Sequence, residues 1–379
     1  MPKIVFCCTV PSTFNFSKKI FKEFETNGWE VIIISSNKDE LELFASENNI
    51  RHEFFPFSRS ISPLKDFKSI IRFRKLIKKI NPDVIVGATP KASLITMIGA
   101  KLAGIRHRIY HIYGLPYETA GGIMRTILKA VERITASCAT DIIPISPSVR
   151  TEYIRNGLCR AEKIADCKCL TVGGVDMMRF NPDILSEFRK NMRASLGIPD
   201  RAKVIGFVGR LTNDKGIEDI IYVWEHIDPT DDTFLVLVGD LDTRDAFSPE
   251  KFNEFTGKPN VIHVPFNAHV EQYFAIMDLF LFPSHREGFG NVSVEAQSMN
   301  IPVVAYDVTG SRDAVSDGMT GQLIEFRNKP LMSDTVKRLL SDSDELRKYS
   351  SCARQFVAEN YSTEKVASNL FRTISTIYQ

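Results

Sequence analysis

The sequence is poor in features that hold a fold together from outside its core. Its seven cysteines, Cys7, Cys8, Cys138, Cys159, Cys167, Cys169 and Cys352, are odd in number and contain no C-x-x-C pair. That spacing excludes a disulfide framework and an ordinary zinc site, and it leaves reduced thiols. Apolar stretches such as Val31 to Ile34 and Leu279 to Phe282 are far shorter than the roughly 18 residues a membrane-spanning helix needs. The N-terminus offers one lysine, a short apolar run and then Pro11, without the apolar region and cleavage site of a secretory signal. A cytoplasmic protein is therefore expected. Low-complexity tracts and repeats of solenoid period are also missing.

What is present is ordinary globular material. Of 379 residues, 44% are hydrophobic and 25% charged, which excludes disorder, collagen and coiled coil and predicts about two domains. Net charge is only +2, but its distribution is uneven: residues 1–178 hold 26 basic and 17 acidic residues, a balance of +9, and residues 179–379 hold 22 and 29, a balance of −7. A basic half suits an anionic partner, and equally a chance spread of solvated charges.

Periodicity alternates between short apolar runs and longer helical patterns. Strands are predicted at Lys3 to Thr9, Glu30 to Ser35, Asp83 to Gly87 and Arg106 to Tyr113. Between them lie helices at Asn15 to Asn27, Lys38 to Asn48 and Leu64 to Ile80, and one ending near Gly104. A second series runs through Val204 to Gly209, Phe234 to Gly239, Val261 to Val264, Leu279 to Pro283 and Pro302 to Ala305. This is the pattern of two α/β domains with doubly wound parallel sheets. The interruption at Leu170 to Pro182, with Gly173 and Gly174, divides them into residues 1–175 and 176–361, and a final helix over 362–379 is expected to pack back on the first domain. In such sheets ligands bind outside the carboxyl ends of the strands.

Two post-strand segments fit that location. In the run from Phe282 to Ala296, a buried strand empties into a turn containing Gly288 and Gly290, and a helix starts near Asn291. Free N–H groups of a first helical turn make an anion site, so a phosphate belongs there. Glu287 and Glu295, eight residues apart, suit acceptors for sugar or ribose hydroxyls, although helix-flanking carboxylates are commonplace. In the run from Phe207 to Gly216, Arg210 and Lys215 follow a strand end, and two cations there suit a diphosphate.

Taken together, Gly209-Arg210-Leu211, Lys215-Gly216, Glu287-Gly288-Phe289-Gly290, Glu295-Ala296 and Pro302-Val303-Val304-Ala305 resemble the retaining glycosyltransferases of family 4, which have the GT-B fold. Ile61-Ser62-Pro63-Leu64-Lys65-Asp66, Thr89-Pro90-Lys91-Ala92, Gly114-Leu115-Pro116-Tyr117-Glu118-Thr119 and Gly174-Val175-Asp176 with Arg179-Phe180 look like bacterial capsule and O-antigen assembly members. The resemblance implies two Rossmann-like domains facing across a cleft: an acceptor-binding N-terminal domain and a C-terminal domain that binds a nucleotide sugar, most simply a UDP-sugar. It implies that Arg210 and Lys215 hold the diphosphate, Glu295 the ribose, Glu287 the transferred sugar, and backbone from Gly288 through Phe289, Gly290 and Asn291 to Val292 the phosphate and sugar. Gly239 and the Val264 to Phe266 loop would line the base. A polyprenyl-diphosphate-linked saccharide is the implied acceptor. No metal and no cofactor are expected.

The N-terminal half departs from that family in two places. Its first turn, Pro11-Ser12-Thr13, lacks a glycine pair, and Tyr113 stands where relatives carry histidine, with His111 two residues earlier. Alternation puts His111 and Tyr113 on one strand face, so either can take the histidine's place. Ser12, Thr13, Tyr113 and Glu118 are the acceptor-side candidates.

His107 and His111 have metal-like spacing, but on a strand they lie roughly 13 Å apart. Asp240-Leu241-Asp242 imitates the Asp-x-Asp metal site of a single-domain transferase fold, which the two-domain pattern contradicts. No G-x-G-x-x-G follows a strand, so nicotinamide is unsupported. The stretch Leu64 to Ile80 is basic and amphipathic, with seven cations against Asp66. It suits peripheral contact with anionic lipid on the inner face of the cytoplasmic membrane, or a core helix with a solvated cationic side. Nothing else suggests nucleic-acid binding. A nucleotide-sugar 2-epimerase of the same fold and a non-catalytic sugar-nucleotide-binding subunit are the rival readings.

Overall fold

A computed structural model describes residues 1–58, 62–166, 171–228, 232–242 and 247–379. Ile61, Cys167, Cys169 and Leu170, named above, lie outside the described residues. The five described cysteines are free, and no described helix is long and apolar enough to cross a membrane. The chain divides into two units, Met1–Gly174 with Thr363–Gln379, and Val175–Ser362.

In the first unit, β1 (Lys3–Cys7), β2 (Glu30–Ser35), β3 (Arg51–Phe54), β4 (Val84–Gly87), β5 (His107–Ile112) and β6 (Asp141–Pro144) form a parallel sheet in the order β3-β2-β1-β4-β5-β6. Side chains alternate across it, so each strand feeds two cores. Ile4 and Phe6 join the helices Lys18–Thr26, Lys38–Asn48 and Thr363–Tyr378, while Val5 and Cys7 join Pro63–Ile80 and Pro90–Ala103. The closing helix is seated by aromatic pairs, Phe371 against Phe24 at 5.1 Å and Tyr378 against Trp29 at 5.0 Å.

Two local expectations change. The first helix is preceded by a 3₁₀ turn, Pro11–Ser17, whose buried residues Pro11, Phe14 and Ser17 recur every three positions, which suits three residues per turn. On the helix Pro63–Ile80, Phe73, Ile77 and Ile80 are buried in the core, leaving only Leu64 and Phe67 exposed near its start. Most of the stripe that the sequence offered to lipid is therefore core.

In the second unit, β7 (Lys203–Val208), β8 (Thr233–Val238), β9 (Val261–Val264), β10 (Leu279–Phe282), β11 (Val303–Tyr306) and β12 (Gly321–Ile324) pair in parallel in the order β12-β11-β10-β7-β8-β9. All six residues of β8 are buried, as covering both faces requires. The chain steps outward from β7 to β9, then returns to lay β10 on the other side of β7. That reversal opens a crevice at the carboxyl ends of β7 and β10.

Candidate active site

The two motif loops meet at that crevice. The β7 loop turns at Gly216, whose φ is 78°, and a Cβ there would stand 2.2 Å from the Pro283 carbonyl at the end of β10. Glycine is what lets the loops touch. Lys215 Nζ then lies 2.5 Å from Glu287 Oε1, both side chains mostly covered. Asp214 supports the arrangement: it accepts from Thr212 Oγ1 at 2.5 Å, pairs with Arg286 at 3.6 Å, and its carbonyl accepts the His285 N–H at 2.9 Å. Burial pulls the Asp214 carboxyl upward, but the Thr212 hydrogen bond and the charges of Lys215, Arg286 and Arg210 hold it below its ordinary value.

The helix after β10, Asn291–Ser298, starts from Gly290 in the left-handed region at φ 88°, with no side chain capping its first turn. The positive end of the helix dipole there favours an anion. The Phe289 ring packs on Tyr361 at 5.0 Å, so Phe289 can contribute only main chain there. One turn on, burial pushes the Glu295 carboxyl up to about 7; Arg179 opposes the rise and Glu271 adds to it. Arg179 itself pairs with Glu271 at 2.7 Å.

Beside β7 and β8 lies a cavity of about 590 Å³, lined in part by Gly209, Arg210, Gly239, Asp242 and Phe266. Its floor is backbone: a Cβ on Gly239 would meet the Gly209 carbonyl at 2.0 Å. Arg210 reaches Asp242 at 3.2 Å yet stays more than half exposed, and Asp240 accepts the Phe266 N–H at 2.8 Å. Val264, expected on this wall, does not line it; as the last residue of β9 it accepts the Gly239 N–H at 2.9 Å. Among the described residues no group of three or more His, Cys, Asp or Glu side chains is placed to hold a metal.

In the first unit, His111 and Tyr113 do share a face, rings edge to face at 4.8 Å. They differ in access. His111 is buried, its Nε2 has no hydrogen-bond partner among the described residues, and burial lowers its pKa to about 3, so it stays a neutral imidazole. Tyr113 is half-buried, as are Thr13 and Glu118, and Ser12 is exposed.

Sequence reasoning missed Asp219. It is 2% exposed on the helix Ile217–His226 and accepts from the Tyr306 hydroxyl at 2.6 Å, with His285 Nε2 at 2.9 Å and Lys329 Nζ at 3.7 Å. It thereby ties the Lys215 loop to the Glu287 loop and to the end of β11. The only signal was an acid in the first turn of an apolar helix, which reads as a favourable dipole charge. Replacing Asp219 by asparagine is expected to cost about 2–3 kcal/mol of stability, measured by denaturant unfolding, and to raise donor KM more than it lowers kcat. Unchanged melting and KM would free Asp219 of this role.

Comparison with known proteins now gives the class. The family model described as glycosyl transferases group 1 matches residues 188–356, and the one described as glycosyl transferase 4-like matches residues 3–146. The capsular polysaccharide biosynthesis glycosyltransferase CapM of Staphylococcus aureus is 30% identical over 372 residues, 97% of this chain and 95% of CapM. The Escherichia coli UDP-Gal:alpha-D-GlcNAc-diphosphoundecaprenol alpha-1,3-galactosyltransferase is 26% identical, covering 78% of this chain and 76% of that one. Anabaena HepE, solved in complex with UDP, superposes with a TM-score of 0.81 at 19% identity over 99% of this chain and all of that one. The chain belongs to the group 1 glycosyltransferases, with the GT-B fold, and its activity is glycosyl transfer.

Proposed function

We propose that the second unit binds a UDP-sugar and passes its sugar, with retention of configuration, to a saccharide carried on a polyprenyl diphosphate during surface-polysaccharide synthesis. The ion pair between Lys215 and Glu287 carries the reading, because it joins a leaving-group cation to a sugar-binding carboxylate at the crevice between β7 and β10. UDP as donor is supported by the UDP-bound HepE and by the UDP-Gal named for the E. coli relative, and the lipid-linked acceptor by that relative's diphosphoundecaprenol substrate.

In the proposed reaction the bond between the anomeric carbon and the diphosphate breaks, and negative charge grows on the leaving group. Arg210, Lys215 and the uncapped helix start supply fixed positive potential for it without a metal. The acceptor hydroxyl attacks from the leaving-group side, forming the new glycosidic bond, and its proton passes to a phosphate oxygen of the departing UDP. Glu287 holds the sugar hydroxyls and Glu295 the ribose, while Ser12, Thr13, Tyr113 and Glu118 are assigned to the acceptor. The His111 Nε2, unpartnered among the described residues, is assigned to a substrate hydroxyl.

Thermal-shift screening against UDP-, GDP- and ADP-sugars tests the donor. A UDP-sugar at a hundredfold excess over its Kd adds about 2.7 kcal/mol to the native state and raises Tm, and the other nucleotides add less. Incubation of the best donor with membrane extract is expected to label the lipid fraction equally with and without EDTA. No shift with any nucleotide sugar and no acceptor-dependent UDP release would end this reading; loss of labelling in EDTA would end its metal-free part.

A further inference from the structure

The cavity beside β7 and β8 sets two carboxylates, Asp240 and Asp242, next to Arg210. An anionic ligand gains nothing from them directly. Asp240 has a task in the loop, since one of its oxygens accepts the Phe266 N–H at 2.8 Å. Asp242 faces the cation: Arg210 Nη1 donates to its Oδ2 at 3.2 Å.

Backbone register brings the two charges together. β7 and β8 pair from Lys203↔Thr233 through Val208↔Val238, and beyond both strand ends one further parallel bridge joins Leu211 to Leu241. The Leu211 N–H donates to the Asp240 carbonyl at 2.9 Å, and the Asp242 N–H to the Leu211 carbonyl at 3.3 Å. Leu211 is fully buried, which anchors the bridge. Arg210 directly precedes one bridged residue and Asp242 directly follows the other, so sheet pairing places them side by side.

Their contact is one that a ligand can exchange. The Asp242 side chain is 13% exposed and that of Arg210 59%, so the carboxylate is the fixed partner and the guanidinium the movable one. One nitrogen meets one oxygen, without the two-pronged fork of the strong arginine pairs. Pairs of that exposure hold weakly. The diphosphate of a nucleotide offers the same guanidinium more charge and more oxygens than one carboxylate does, so it wins the cation.

We infer that Asp242 competes with the donor diphosphate for Arg210, and that it reclaims the guanidinium as UDP departs. It weakens nucleotide binding and speeds product release, the step that limits turnover in many transferring enzymes. Asp242 is thus a positioning residue that acts through Arg210. The inference rests on the diphosphate role proposed above for Arg210.

The test is calorimetric titration of the full chain with UDP and with inorganic pyrophosphate, at one salt concentration, in the wild type, D242N, R210M and the double variant. D242N is expected to bind both ligands about fivefold more tightly, and UDP to inhibit its turnover more strongly by the same factor. D242S removes the same charge and should tighten both ligands alike, which separates the effect from a folding defect of either variant. R210M should bind both about tenfold more weakly. In that background D242N should change either affinity by less than about twofold, as action through Arg210 requires. UDP binding that is unchanged or weaker in both D242N and D242S overturns the inference; weaker UDP with unchanged pyrophosphate would put Asp242 on the base or ribose instead. Equal tightening with and without Arg210 also overturns it, since general repulsion would then suffice. UDP binding unaffected by R210M would sink the diphosphate role of Arg210 itself, a failure of the proposed function that the Asp242 variants alone cannot produce.

Discussion

Replacing Lys215 by alanine is expected to lower turnover about a hundredfold or more, the effect of removing one fixed charge from a developing anion. Two consequences follow from its place beside Glu287. Without the ammonium, the carboxylate loses the counter-charge of that contact, so the sugar-binding group is disturbed as well as the leaving-group cation. Lys215→Arg keeps the charge and should recover part of the rate, whereas an effect on folding alone would lower the melting temperature of both variants alike. The measurement is initial-rate release of UDP dependent on acceptor. Turnover of the alanine variant within a few-fold of the wild type would take Lys215 out of the mechanism.

Glu295→Gln is expected to act in opposite directions on stability and on binding. Burial holds the Glu295 carboxyl at about 7 in the folded protein, against an ordinary 4.5. Between those values the native state keeps a proton that the unfolded chain has lost, so stability falls as pH rises through the window, and the full cost is present above it. That cost is on the order of 3 kcal/mol at pH 8. A glutamine never ionises, so the variant should be more stable than the wild type at pH 8 and nearly equal at pH 4, read from denaturant unfolding at both. Donor binding reverses the order. If the carboxylate accepts the ribose hydroxyls, wild-type affinity strengthens between pH 6 and pH 8, and the glutamine variant binds about tenfold more weakly at pH 8 with a flatter profile. Calorimetric titration with UDP at the two pH values checks it, and equal affinity of both proteins would clear Glu295 of ribose contact.

The central strands were legible because a parallel strand covered on both faces needs a nearly unbroken apolar run, as in Phe234 to Val238. Of the four edge strands only β9, Val261–Val264, was. β3 and β12 have one neighbour and are half-exposed, so Arg51–Phe54 and Gly321–Ile324 contain polar residues and show no clear run, while β6, Asp141–Pro144, is mostly buried but short and closed by proline. The site divides in the same way. Arg210, Lys215 and Glu287 stand out because they follow strands in glycine-marked turns, and Glu295 because it lies on the helix that the second of those turns opens, a local pattern. Val264 was read as a strand-end residue, and its carbonyl is held by the Gly239 N–H.

Local chemistry, readable residue by residue, therefore settled the two-domain α/β class, the order of its main strands and the loops that bear charge. Sheet order was beyond it. Lys215 and Glu287 are 72 positions apart, and they touch only because the chain reverses direction across β7. The same holds for Asp219 with His285, 66 positions apart. Each depends on which surfaces meet, and long-range packing sets that after the local pattern has been satisfied.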